Sequence, residues 1–189
     1  MPNPTSRSYS IRLATVNDAP GCAAVNIAAW RSTYRGLIDD AALDNMDHEQ
    51  LAERWHNRLM PANRAMFCFV AQLDPIAPTD PPHIVGYVLG GFSRRGELPF
   101  TGELLAIYLL PEHQGAGLGR RLFLRCVQEF RGRGIDSFLL FVLKANVAAR
   151  KFYSAFHPDF EEESDVMIDG FTYRDVGYGW SNLDRFPAA

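Results

Sequence analysis

Glu103-Leu104-Leu105-Ala106-Ile107-Tyr108-Leu109-Leu110-Pro111-Glu112-His113-Gln114-Gly115-Ala116-Gly117-Leu118-Gly119-Arg120-Arg121 is the stretch around which the rest of the chain can be read. Leu104 to Leu110 is an apolar run with the length and bulk of a buried strand. Pro111 ends it, because proline has no N–H to give to a ladder. Gly115, Gly117 and Gly119 then alternate with Ala116 and Leu118. Behind them Leu118, Leu122, Phe123, Cys126, Val127 and Phe130 recur at helical spacing. The order is strand, glycine-rich turn, helix. Such a turn exposes backbone N–H groups at a helix N-terminus, where the helix dipole also favours negative charge. A phosphate-bearing ligand is the expected occupant.

Two familiar phosphate patterns fail here. A Walker loop, GxxxxGK[ST], and the dinucleotide fingerprint GxGxxG, both counted from Gly115, require glycine where Arg120 stands. Another strand-turn-helix phosphate site is needed.

Working outward, the composition describes one domain. The chain has 189 residues, 47% apolar and 22% charged, enough for a sizeable core. A net charge of −3 carries no basic face of the kind that nucleic acid requires, so no nucleic-acid partner is expected. Cys22, Cys68 and Cys126 are odd in number and widely spaced, which fits reduced thiols and an intracellular protein. The start of the chain, residues 1–8, is a polar tail without an apolar signal core, and no window reaches membrane-span length. The expectation is therefore a cytoplasmic protein with no membrane association. The five histidines, His48, His56, His83, His113 and His157, show no metal-ligand spacing, so no metal is expected.

In chain order, Tyr9, Ile11 and Leu13 alternate with polar residues as in a half-buried strand. Asn17 or Asp18 caps a helix through Ala23, Val25, Ile27 and Trp30, which Gly36 breaks. Asp39 and Asp40 open a short helix, and residues 48–59 form another with Leu51, Trp55 and Leu59 on one face. Strands follow at 66–73 and 84–92, separated by a Pro-rich loop or arm over 74–83. Gly86, Gly90 and Gly91 in the second of these allow close backbone approach. After the central helix, 137–143 is a buried strand and 146–156 a helix. Phe160 and then 171–180 are closing strands joined near Asp169-Gly170. The pattern is an α+β fold: a mixed central sheet of about six to seven strands flanked by helices, spanning residues 9–182 as one domain, with 183–189 as a C-terminal tail. Exposed edge strands leave a homodimer plausible.

Gln114-Gly115-Ala116-Gly117-Leu118-Gly119 fits Q/R-x-x-G-x-G/A, which resembles the pyrophosphate loop of the GCN5-related N-acetyltransferases, the GNAT superfamily. Ile11 to Ala19 resembles that family's first strand and helix start, Trp30 to Ile38 a segment common in its bacterial members, and Asn146 through Tyr153 its second CoA-contacting helix. The element order matches as well. One departure stands out: Ala155-Phe156-His157-Pro158 replaces the usual Gly-Phe after that helix.

The resemblance implies acetyl transfer from acetyl-CoA to a primary amine by direct attack in a ternary complex. It implies that the backbone amides of Gln114, Gly115, Ala116, Gly117, Leu118 and Gly119 cradle the pyrophosphate, with Arg120, and also Arg121, as candidate phosphate partners. It implies that the backbone at Ile107, Tyr108 and Leu109 holds the pantetheine arm and supports the thioester oxygen. Asn146 is a helix cap and a cofactor contact. Tyr153 is the candidate general acid toward the thiolate, and Glu103, eleven positions before Gln114, the candidate base, directly or through water. Tyr34 is a candidate wall of the acceptor pocket, His113 a loop residue beside the phosphate site, and Cys126 a core residue. The acceptor is expected near residues 30–37 and the far side of the sheet, as a small-molecule or protein amine. The alternative reading is an acyl-CoA-binding sensor or interaction module that performs no transfer.

Overall fold

A computed structural model describes residues 8–61, 65–74 and 83–187. Its seven strands form one mixed sheet. β1 (Tyr9–Leu13), β2 (Met66–Leu73), β3 (His83–Phe92) and β4 (Gly102–Leu109) make an antiparallel meander. β5 (Phe138–Leu143) joins β4 in parallel, and β7 (Phe171–Trp180) lies between β5 and β6 (Phe160–Ile168), antiparallel to both. The spatial order is β1-β2-β3-β4-β5-β7-β6. The parallel pair requires a crossover, and α4 (Leu118–Gly132) supplies it.

Helices cover both faces. On one side α1 (Ala19–Tyr34) and α3 (His48–Leu59) bury Cys22, Val25 and Trp55 against Val70 and Tyr87 of the sheet. On the other, α4 buries its whole apolar stripe, Leu118, Leu122, Phe123, Cys126, Val127 and Phe130, beside α5 (Val147–Ser154). Phe123 is the hub of that side. It stacks on Phe156 at 3.9 Å and meets Phe138 and Trp180 at 5.8 and 5.6 Å, geometries that add to simple area burial.

The caps follow the sequence in part. Asp18 stands at the start of α1 but gives it no side-chain cap, its carboxylate turning back to Arg12 and the Thr15 N–H; Pro20 lies in the first turn, where a missing N–H costs nothing. Asp39 caps the short α2 (Asp40–Asp44), and the Asp47 carboxylate accepts the Gln50 N–H at 2.8 Å at the start of α3. Asp169 and Gly170 both take positive φ, 47° and 82°, as a two-residue hairpin turn between β6 and β7 demands. All three cysteines are free and buried.

Several expectations are adjusted. The central strand starts at Gly102 and ends at Leu109, one residue short of the apolar run. The closing strand expected at Phe160 runs for nine residues, to Ile168, through an acidic stretch that gave no sign of its length. Leu183 and Phe186, in the segment expected to be a tail, are buried, and Arg131 donates to the carbonyl oxygens of both. Of the N-terminal tail and the Pro-rich arm, residues 1–7 and 75–82 lie outside the described residues.

Candidate active site

β4 and β5 touch only at their beginnings. Gly102 pairs with Phe138 and Glu103 with Leu139, and beyond these the strands part. On its other side β4 carries an irregularity: Leu89 of β3 faces Ala106, but Gly90 faces Leu104, so Leu105 has no opposite residue. The parting leaves a cavity of about 540 Å³. Its floor and walls are Leu104 to Leu109 of β4, Leu140 to Val142 of β5, Thr33 and Tyr34 of α1, and Asn146, Phe152 and Tyr153 at α5. A crevice at the carboxyl ends of parallel strands is where open sheets place ligands.

The loop after β4 closes one end. Gly115 and Gly117 both have φ of 79°, the left-handed region that glycine enters freely. Gly117 is the N-cap of α4 and supplies no side-chain cap, so the first-turn N–H groups of the helix stay available to an anion. The Gln114 amide donates to the Leu109 carbonyl at 3.2 Å and ties the loop to the end of β4. At Gly119 an added Cβ would meet Leu109 and Phe152 at 3.6 Å, an ordinary contact, so the fold itself tolerates a side chain there.

Most of the expected residues meet in this cavity: Ile107, Tyr108, Leu109, Gln114, Gly115, Gly117, Gly119, Arg120, Asn146 and Tyr153 all line it. Ala116 and Leu118 do not. Leu118 is buried in the core, and what these two bring to the loop is backbone. The Arg120 guanidinium lies 5.3 Å from the Phe156 ring centre, at the cavity edge. Arg121 instead donates to the Tyr9 carbonyl at 2.9 Å.

Glu103 is not among the lining residues. Its carboxylate is buried and accepts from the Arg94 backbone N–H and side chain at 3.1, 3.0 and 2.7 Å. His113 is also placed otherwise than expected. It is buried, with its Nδ1 3.0 Å from the Tyr9 hydroxyl, and so belongs to the packing of β1 against the loop base.

Three phenols line the cavity, those of Tyr34, Tyr108 and Tyr153. The hydroxyls of Tyr34 and Tyr108 are 3.3 Å apart, and Asn146 also bonds Tyr34. Asn146 uses its Oδ1 to cap α5 through the Ala149 N–H at 3.1 Å. Burial raises the pKa of Tyr153, with Tyr34 and Cys126 adding to the rise. Burial likewise raises Tyr108, and raises Tyr34 against the opposing pull of its bonds to Tyr108 and Asn146. All three therefore stand as neutral O–H groups near pH 7, able to donate. Among the described residues no group of His, Cys, Asp or Glu is arranged to hold a metal ion.

On the opposite face a second, open cavity of about 890 Å³ lies between α1, α2, α3 and the sheet, with Trp30, Trp55, Tyr87 and Arg94 on its walls. It shares Leu105, Ala106 and Tyr108 with the first. The irregular stretch of β4 is thus reachable from both faces. Thr33 falls in the 30–37 segment expected near the acceptor, but Phe141 and Val142 were missed as cavity walls, because β5 reads simply as an apolar core strand. The available signal was its parallel pairing with β4, which puts a crevice at its carboxyl end.

This arrangement is that of the acyl-CoA-dependent acetyltransferases, and the chain belongs to the acetyltransferase (GNAT) family, matching it over residues 20–157. It is 29% identical to the uncharacterized N-acetyltransferase YuaI of Bacillus subtilis over 174 residues, 92% of this chain and 94% of that protein. It is also 29% identical to the mycothiol acetyltransferase of Rhodococcus opacus over 143 residues, 67% of this chain but only 46% of that protein. Among solved structures, PaiA N-acetyltransferase of Thermoplasma acidophilum in complex with coenzyme A superposes with a TM-score of 0.67 at 20% identity, covering 92% of this chain and 99% of that one. The structure of yncA from Salmonella typhimurium with its cofactor acetyl-CoA gives 0.66 at 20% identity, covering 96% and 98%. At these identities the structural likeness speaks for the fold.

Proposed function

We propose that the protein transfers an acetyl group from acetyl-CoA to a primary amine by direct attack within a ternary complex. The observation that carries this reading is the cavity between the parted β4 and β5, which joins an uncapped helix N-terminus at one end to neutral phenols along its walls. In that cavity the amides of Gln114 to Gly119 take the pyrophosphate, helped by Arg120. The edge of β4 at Ile107 to Leu109, left without a partner strand, takes the pantetheine amides, and its N–H groups polarise the thioester carbonyl. The acceptor comes from the face of α1 and α3 and meets the thioester where β4 is open to both cavities.

The amine attacks the carbonyl carbon, the tetrahedral intermediate collapses, the C–S bond breaks, and the acetamide leaves with free CoA. Tyr153 donates its proton toward the departing thiolate. Its raised pKa keeps that proton in place across the neutral and mildly alkaline range, so the donor form is always present. The amine proton passes to water, because Glu103, buried and held by both the backbone and the side chain of Arg94, lines neither cavity. Holding both substrates in line contributes to the barrier reduction on the scale of about 7–11 kcal/mol at best.

CoA release followed across an amine panel tests the activity. Tyr153→Phe is expected to lower kcat by about 100-fold, the low end of general acid catalysis, with the KM for acetyl-CoA unchanged. Unchanged turnover would remove Tyr153 from the mechanism. Tight acetyl-CoA binding with no transfer to any amine would favour a sensor that binds the cofactor and does no chemistry.

A further inference from the structure

Three carboxylates are buried among the described residues: Asp18, Glu103 and Asp175. The first two carry arginine counter-charges, Arg12 and Arg94, each at 2.7 Å. Asp175, on β7 and 3% exposed, makes no ion pair among the described residues. Its Oδ1 accepts from the Ser164 hydroxyl at 2.5 Å, a neutral partner. The cations adjacent to it in the sheet are occupied elsewhere: Lys144 bonds Glu163, and Arg174 bonds Glu163 and Asp165. Strand alternation sends Arg174 to the face opposite Asp175. Buried charges in folded proteins are paired, so a lone buried carboxylate calls for a cation from outside the chain.

The space around it fits that requirement. Asp175 faces a cavity of about 150 Å³ between α1, β5 and β6. Two of its walls are the rings of Trp30 and Tyr34, packed edge to face at 5.1 Å, and Phe141 and Val166 are among the apolar side chains that line the rest. A buried carboxylate in an apolar, aromatic-lined cavity attracts an alkylammonium by charge, gives its alkyl groups apolar contact, and repels an anion. The volume suits one small head group. The cavity shares Tyr34, Phe141 and Val142 with the cofactor cleft, so its occupant sits one layer of side chains from the reacting end.

We infer that this cavity is a subsite for an alkylammonium group of the acceptor, with Asp175 the residue that selects a cationic aliphatic amine. The inference rests on the acetyltransfer reading and names the acceptor class for it.

The probe is tetramethylammonium, a cation that cannot be acetylated. With wild-type protein it is expected to inhibit competitively against the amine and not against acetyl-CoA. Asp175→Asn is expected to raise the KM for a cationic amine at least tenfold, leave the KM for acetyl-CoA unchanged, and weaken tetramethylammonium inhibition by a similar factor. Wild-type turnover with no inhibition by the probe would overturn the inference while leaving the acetyltransfer reading intact. So would an Asp175→Asn variant with unaltered amine KM. If Asp175→Asn fails to fold, competition on the wild type alone decides. If no amine is acetylated, the acetyltransfer reading fails, and calorimetric titration of wild type with tetramethylammonium still judges the subsite: binding supports it, no binding ends it.

Discussion

At the residue scale, Asp18 links sequence position to pH-dependent stability. Its carboxylate takes two hydrogen bonds from the Arg12 guanidinium at 2.7 Å each and the Thr15 N–H at 2.8 Å, joining β1 to the start of α1. Burial pushes its pKa up, but the hydrogen bonds from Arg12 and Thr15 outweigh burial, and the net shift is downward. A lowered folded-state pKa stabilises above the unfolded value of about 3.9 and is lost as pH falls through the folded value. Asp18→Asn is therefore expected to cost about 1–3 kcal/mol at pH 7. That gap should shrink as pH drops below about 4, where the wild-type carboxyl also protonates. Thermal denaturation of both proteins between pH 2 and 7 measures it, and a gap constant down to pH 2 would mean that the charge is not its source.

At the scale of the element, the decisive piece is the loop into α4. Gly117 sits in open space, so replacing it meets no steric neighbour, but its φ of 79° strains any L side chain. Gly117→Ala is expected to cost about 1–2 kcal/mol of stability. It is also expected to raise the KM for acetyl-CoA several-fold with little change in kcat, because a methyl group would stand where backbone must approach phosphate. Steady-state kinetics check this, and an unchanged KM would detach the loop from phosphate binding. Legibility from sequence follows local physics. This loop, the short helix opened by Asp39 and the Asp169-Gly170 turn were readable because a short motif determines each. The extent of β6 was not: Phe160 and the Asp169-Gly170 turn marked its ends, but Glu161, Glu162 and Glu163 between them have poor strand propensity and are tolerated only at a sheet edge. The partner of Glu103 was not readable either: Arg94 comes from the connection between β3 and β4, and no spacing rule reports how a side chain folds back across a hairpin. In the sequence nothing sets Asp175 apart from the other polar residues of the closing strand. Its isolation from cations appears only when β6 and β7 are laid beside β5.

At the scale of the whole molecule, the sheet is two half-sheets, β1 to β4 and β5 to β6, whose ladders join at two residue pairs. The apolar layer of α4 and α5 bridges them on one side, and the segment at Leu183 and Phe186 reinforces that layer. That layer belongs to the packed core of the domain, so both halves are expected to unfold together. The seam itself is another matter. Main-chain groups along the free edge of β4 lack the strand-to-strand bonds that retard solvent exchange elsewhere in the sheet. In hydrogen–deuterium exchange, peptides covering 104–109 are expected to take up deuterium faster than those covering β3 or β7 when the protein is free. Acetyl-CoA, lying along that edge like a missing strand, should slow them selectively. The same seam that admits the cofactor would then be readily labelled inside a sheet whose other interior strands are protected, and labelling with and without cofactor would locate the ligand without any knowledge of the acceptor.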